Sequence, residues 1–186
     1  GQIDDTVIIF TSDHGEMLGD REGYQKHVPY EGSAHIPMIA CGPGFPQGLC
    51  ETPVTTWDVA TTVLEVSGTR KADDHPLIGS SLREVSQNAR DRTVVYHHSQ
   101  GSKRYVASVD RTHKFIHWYN GGDEWLFDLI NDPHEQTNAV DQQPDIVAQL
   151  RKACLDFETT HGPVDAIQKN GFADHPFQPP GPTTCT

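Results

Sequence analysis

The chain has 186 residues, enough for one domain with an appendage and for a single sizeable core. Its 14 Lys and Arg against 26 Asp and Glu give a formal charge of −12, which removes the continuous basic face that tracking a phosphate backbone requires. No apolar run approaches the ~20 residues of a membrane span, so neither nucleic acid nor a membrane is expected as a partner.

Residues 6–10 (TVIIF) form an apolar, β-branched run, read as a strand buried on both faces. The run ends in Thr11-Ser12-Asp13-His14-Gly15, where a loop begins. A second strand is expected over 36–40 (IPMIA), with Pro37 at its start and Gly42-Pro43-Gly44 closing it. Residues 57–66 place apolar groups at helical spacing and stop at Gly68. Strand, loop, strand, helix is an α/β pattern.

After about residue 90 the texture changes. Residues 93–96, 105–109, 114–119 and 124–129 read as four short strands separated by tight-turn signals, an antiparallel meander. Residues 144–160 then read as an amphipathic helix whose apolar side is Ile146, Val147, Leu150, Cys154, Leu155 and Phe157. Trp118 and Trp125 are expected to pack the meander against this helix. The Pro-rich tail from Phe172 should be extended or loose. Three segments result: 1–90 as the later part of an α/β domain, 91–162 as an antiparallel sheet packed on a helix, and 163–186 as tail. The first strand has too few partners to complete a doubly wound sheet, so the amino end reads as cut from something larger, with an apolar face open to self-association.

Four cysteines (Cys41, Cys50, Cys154, Cys185) lack zinc spacing and disulfide density, and read as reduced thiols. Eleven histidines enrich the chain for metal or proton chemistry. Ligands of open α/β sheets bind beyond the strands' carboxyl ends, where Asp13 and His14 stand. A carboxylate and an imidazole side by side can share one divalent cation.

TSDHGEMLGD (11–20), Lys26, Tyr30-Glu31, Ile36-Pro37, Cys41-Gly42-Pro43-Gly44 and the helix from Trp57 to Gly68 occur in an order that resembles the sulfatase family of the alkaline-phosphatase-like superfamily. So do Ile78-Gly79-Ser80-Ser81-Leu82 and the carboxy-terminal run Glu124-Trp125-Leu126-Phe127-Asp128-Leu129 with Asn131-Asp132-Pro133-His134-Glu135 and Asn138. The resemblance is collinear from Asp5 to about Leu155. It implies that Asp13 and His14 are ligands of a divalent metal, usually calcium, and that Lys26 contacts the sulfate of a sulfate-ester small molecule or sugar. Tyr30 and Glu31 are expected to position that loop. His97 and His98, ending a meander strand near the implied mouth of the site, are candidate substrate contacts, and His27 is a candidate neighbour.

The family's nucleophile, a formylglycine made within a Cys/Ser-x-Pro-x-Arg motif, is not supplied by Cys41-Gly42-Pro43-Gly44-Phe45, which has Phe where Arg is required. Asp4 and Asp5 cannot replace the family's two amino-terminal Asp ligands, because they precede the strand that Asp13 follows, ~20 Å away at ~3.3 Å per residue. The expectation is the carboxy-terminal portion of a sulfatase, with half a metal site, inactive without the missing amino-terminal part. The rival readings are a phosphonate or phosphate ester hydrolase of the same superfamily, an assembly piece, and a catalytically dead binding member.

Overall fold

The computed structural model describes residues 1–69, 77–88, 91–99, 101–169, 171–173 and 175–179. His75 and Cys185 lie outside them. Strand β1 (Ile8–Thr11) is paired with β2 (Met38–Cys41), and between them lie a long loop and the single turn α1 (Glu31–Ala34). The pairing is antiparallel, Ile8 opposite Cys41 and Phe10 opposite Ile39, and one face of the ribbon is open, Phe10 and Ile39 each being 61% exposed. The expected doubly buried strand is therefore corrected. A β-branched run says that a face can be buried, not that a layer is present to bury it.

Helix α2 (Thr56–Val66) and helix α3 (Leu82–Gln87) are tied together by one carboxylate. Asp58 is fully buried and accepts from Thr55 N (2.7 Å), Ser80 N (2.7 Å) and both terminal nitrogens of Arg92 (2.7 and 2.9 Å). The first of these satisfies an orphan donor at the helix start. The bidentate Arg92 pair carries the charge into the segment that enters the meander. A β-carbon at Gly79 would run into the Trp57 backbone, which is why the strap between α2 and α3 passes there as glycine.

The meander is built as the turn signals indicate: β3 (Val94–His98), β4 (Tyr105–Val109), β5 (His113–Trp118) and β6 (Glu124–Asp128), antiparallel in that order. Period-2 alternation sorts its residues onto two faces. On one, Val106, Phe115 and Leu126 meet Leu150 and Cys154 of α4 (Pro144–His161). On the other, Tyr105, Ala107, Ile116 and Phe127 pack with Tyr96, Trp118, Trp125 and Tyr30. The expectation that Trp118 and Trp125 face α4 is thus corrected: both belong to the face turned toward the loop carrying Tyr30.

The tail is more ordered than its prolines suggest. A short hairpin, β7 (Ile167–Gln168) with β8 (Gly171–Phe172), lays Phe172 on the His117 ring at 3.9 Å, and Gln178 N donates to Asn120 Oδ1 at 2.6 Å. Aromatic stacking and one backbone anchor hold an otherwise extended segment against the meander. Cys41, Cys50 and Cys154 are free thiols, Cys154 in the core. No helix among the described residues is long and apolar enough to cross a membrane.

Replacing Asp58 by Ala leaves the Arg92 guanidinium without its carboxylate and two backbone donors unsatisfied, and should destabilise the chain by about 3 kcal/mol or more in urea unfolding; a loss under about 1 kcal/mol would contradict this reading of the carboxylate.

Candidate active site

The carboxyl end of β1 turns sharply. Ser12 Oγ donates to the His14 carbonyl (2.7 Å), and Gly15 N donates to Ser33 O (2.8 Å), seating the turn on α1. A β-carbon at Gly15 would strike the Gly32 carbonyl, so this close approach requires glycine. The turn leaves the Asp13 carboxylate in solvent. Its pKa lies below the ordinary value, first because its own backbone N–H bonds to it and then because the His14 imidazole is adjacent.

His14 Nδ1 lies 2.6 Å from the Gly15 carbonyl, which can only accept, so Nδ1 carries a proton. Nε2 is then the lone-pair nitrogen of the neutral ring. Lys26 Nζ donates to it at 2.6 Å, and Asp13 Oδ2 stands 3.6 Å away. Carboxylate, imidazole and ammonium thus converge at one point although 12 residues separate His14 from Lys26. Oxygen and a free imidazole lone pair side by side suit a divalent cation. Among the described residues no group of three or more His, Cys, Asp or Glu could hold a metal ion; Asp13 and His14 are a pair.

The segment bearing Lys26 is strained. Leu18, Arg21, Glu22, Gln25 and His27 all have φ between +49° and +75°, a region that costs a non-glycine residue on the order of 1–3 kcal/mol. Its stays are long-range. The Arg21 guanidinium lies 4.3 Å above the Tyr30 ring and 5.1 Å from that of Trp125, and it donates to the Glu135 carbonyl. The Pro29 carbonyl accepts from Tyr96 Oη (2.7 Å) and Lys114 Nζ (3.1 Å).

Residues 19–159 match the family described as N-sulphoglucosamine sulphohydrolase, C-terminal. The chain belongs to the sulfatases. It is 32% identical over 176 residues to the choline-sulfatase of Rhizobium meliloti, covering 92% of this chain and 31% of that protein. In fold it is similar to a protein solved in complex with its substrate D-glucosamine-2-N,6-O-disulfate (TM-score 0.69, 24% identity, 86% of this chain and 35% of the other). It is likewise similar to the phosphonate monoester hydrolase of Agrobacterium radiobacter (TM-score 0.67, 23% identity, 92% and 39%). The chain spans about a third of the length of the relatives it matches.

Within this sulfatase chain the two meander histidines part company. His97 Nδ1 bonds Glu158 Oε1 of α4 at 2.8 Å and its ring meets Phe157, which places it on the helix side of the sheet, away from Lys26. His98, one residue on, faces the opposite side between Tyr105 and His27, with the His27 ring 5.3 Å away. Burial, then the neighbouring His27, lowers the His98 pKa.

Sequence reasoning missed Lys114. Its ammonium is 1% exposed and touches Glu31 Oε1 (2.5 Å) and Glu135 Oε1 (2.9 Å). Burial alone would raise the Glu31 carboxyl, but hydrogen bonds from His35 and Lys114 outweigh it and hold the pKa at about 2. Burial raises Glu135, against the pull of Lys114. A signal was available: in strand register Lys114 shares a face with Ile116 and Trp118, and a lysine among inward-facing residues requires a buried partner.

A carboxyl whose folded pKa is depressed contributes stability that is present above its unfolded value, near 4.5, and lost as pH falls through the folded one. The stability difference between wild type and Glu31→Gln, read by urea unfolding, should therefore be largest near about pH 6 and shrink steadily toward about pH 2. A difference independent of pH would contradict the ion pair.

Proposed function

We propose that this chain is the carboxy-terminal part of a metal-dependent sulfatase that hydrolyses sulfate esters, and that Asp13, His14 and Lys26 form its share of the active site. The observation that carries the reading is the convergence of Lys26 Nζ and Asp13 Oδ2 on His14 Nε2. Asp13 and His14 would supply two ligands to a divalent cation, calcium by family resemblance, which when bound acts as a Lewis acid toward the oxygens of the ester. The remaining ligands and the formylglycine nucleophile would come from sequence outside this chain.

His14 keeps its Nδ1 proton on the Gly15 carbonyl, which aims Nε2 at the site and fixes the tautomer that can ligate. The Nε2 lone pair serves one partner at a time. With a divalent cation held by Nε2, the Lys26 ammonium would be free to hold an anionic oxygen, where it would stabilise developing charge electrostatically. Asp13, exposed and ionised, stays available to the cation throughout. The open face of the β1–β2 ribbon, with Ile8, Phe10 and Ile39, is the surface on which the rest of the catalytic domain would pack. Of the two meander histidines, His98 would be the substrate contact, a reading supported by its position beside His27, the residue after Lys26.

A phosphonate or phosphate ester is the second reading. It is favoured by the fold shared with the Agrobacterium phosphonate monoester hydrolase over 92% of this chain, and because Lys26, with a cation on Asp13 and His14, would serve either tetrahedral oxyanion.

Two ligands bind calcium weakly, with affinity on the order of millimolar. Calorimetric titration of the 186-residue chain with calcium chloride should show such binding in wild type and its loss in Asp13→Ala. Titration with sodium sulfate should be weakened about tenfold by Lys26→Met. Equal affinities in wild type and variants would remove these residues from the site, and a marked preference for methylphosphonate over sulfate would favour the second reading. The chain alone should not turn over an aryl sulfate.

A further inference from the structure

We propose that Lys114, Glu135 and Glu31 are positioning residues for Lys26, acting as a buried ion clamp that holds the strained segment 16–27 in the conformation that delivers the ammonium to the site. The proposal rests on the reading of Lys26 as the anion contact and deepens it, assigning to the meander the task of setting that contact's position.

The clamp is closed in the hydrogen-bonding sense. An ammonium has three protons, and Lys114 Nζ has three acceptors: Pro29 O, Glu31 Oε1 and Glu135 Oε1. The second oxygen of Glu135 accepts from Glu31 N at 2.7 Å, and the second oxygen of Glu31 pairs with His35 Nδ1 at 2.6 Å. Each buried charge is thus fully committed, which favours one arrangement over any other.

Lys26 lies between two tethers that lead to the same place. Five residues earlier, Arg21 donates to the backbone carbonyl of Glu135; three residues later, the Pro29 carbonyl accepts from Lys114. Glu135 itself has φ +55°, with its backbone carbonyl on the Arg21 guanidinium and its side-chain Oε2 on Glu31 N. Five left-handed non-glycine residues cluster between Leu18 and His27, and a run of this kind persists only where surrounding contacts over-determine it. Five backbone pairs act within the segment (Met17 N–Gln25 O, Gly19 N–Gly23 O, Asp20 N–Met17 O, Glu22 N–Gly19 O and Gly23 N–Asp20 O), but none of them ties it to the meander. Released from the clamp, the segment relaxes, and the contact between Lys26 and His14 is what it loses.

The test is nuclear magnetic resonance on the whole 186-residue chain, wild type against Lys114→Met and the milder Glu135→Gln, which keeps an acceptor for Glu31 N. Amide exchange in residues 16–27 should quicken about tenfold or more relative to α4 amides, and the nuclear Overhauser contact between the Lys26 ε-methylene and the His14 ring should vanish. Lys114→Arg, retaining the charge, should restore part of both. Unchanged exchange with an intact Lys26–His14 contact in a folded variant would overturn the clamp, as would equal acceleration in α4 and the segment, which would make the cluster a general support of the fold. Sodium sulfate added to wild type separates the two claims: no shift of the Lys26 side-chain signals would remove the anion-contact reading, while the exchange result alone decides the clamp.

Discussion

An ammonium held out of water between two carboxylates is the constraint on which this molecule's working part depends. Burying Lys114 costs several kcal/mol in lost hydration, and burying Glu135 beside it costs more. The arrangement is sustained because three segments far apart in sequence arrive together, the loop through Glu31, strand β5 through Lys114 and the turn through Glu135. Take Lys114 away and two carboxylates lose the cation they share; take either carboxylate away and the ammonium loses one of its acceptors. His35, raised in pKa chiefly by its hydrogen bond to Glu31, bonds the second oxygen of that carboxylate.

The consequence for function follows from where the cluster sits. The meander has a helix on one face and the loop on the other, and the ion cluster with the Tyr30, Trp118 and Trp125 rings forms the second contact. The antiparallel subdomain therefore acts as a rigid plate against which a strained loop is pressed. Strain of this kind is useful at a site that must present a lysine at one position, because a relaxed loop would distribute that ammonium over many. In this chain the sheet thus meets the loop through an aromatic face in which the ion cluster is set, while α4 covers the other face.

Much of the architecture was legible because its signals are local. Turn residues at 110–111 and 120–122 and alternation within each strand mark the meander, and the apolar stripe ending at Gly162 marks α4. Alternation also implies that Trp118 and Trp125 share a face and that His97 and His98 do not. Which face meets α4 is decided by docking, and so both tryptophans were assigned to the wrong side. Glu158, lying on the buried side of α4, marks where His97 points, but a glutamate does not register in an apolar stripe. The run at 6–10 suggested a strand covered twice, whereas its only strand partner among the described residues is β2. Asp13, His14 and Lys26 stood out through family motifs; their convergence on one nitrogen depends on loop geometry that no spacing rule encodes. Alternation marks Lys114 as inward-facing, but its partners, 83 and 21 residues away, lie beyond any local pattern.

A double-mutant cycle on Lys114 and Glu135 tests the central claim most directly, because it isolates their mutual interaction from the burial of either side chain. Unfolding free energies of wild type, Lys114→Met, Glu135→Gln and the double variant should give a coupling energy above about 1.5 kcal/mol. A coupling below about 0.5 kcal/mol, with all four proteins folded, would mean that the ammonium does not join strand β5 to the turn that holds Arg21 and Glu31.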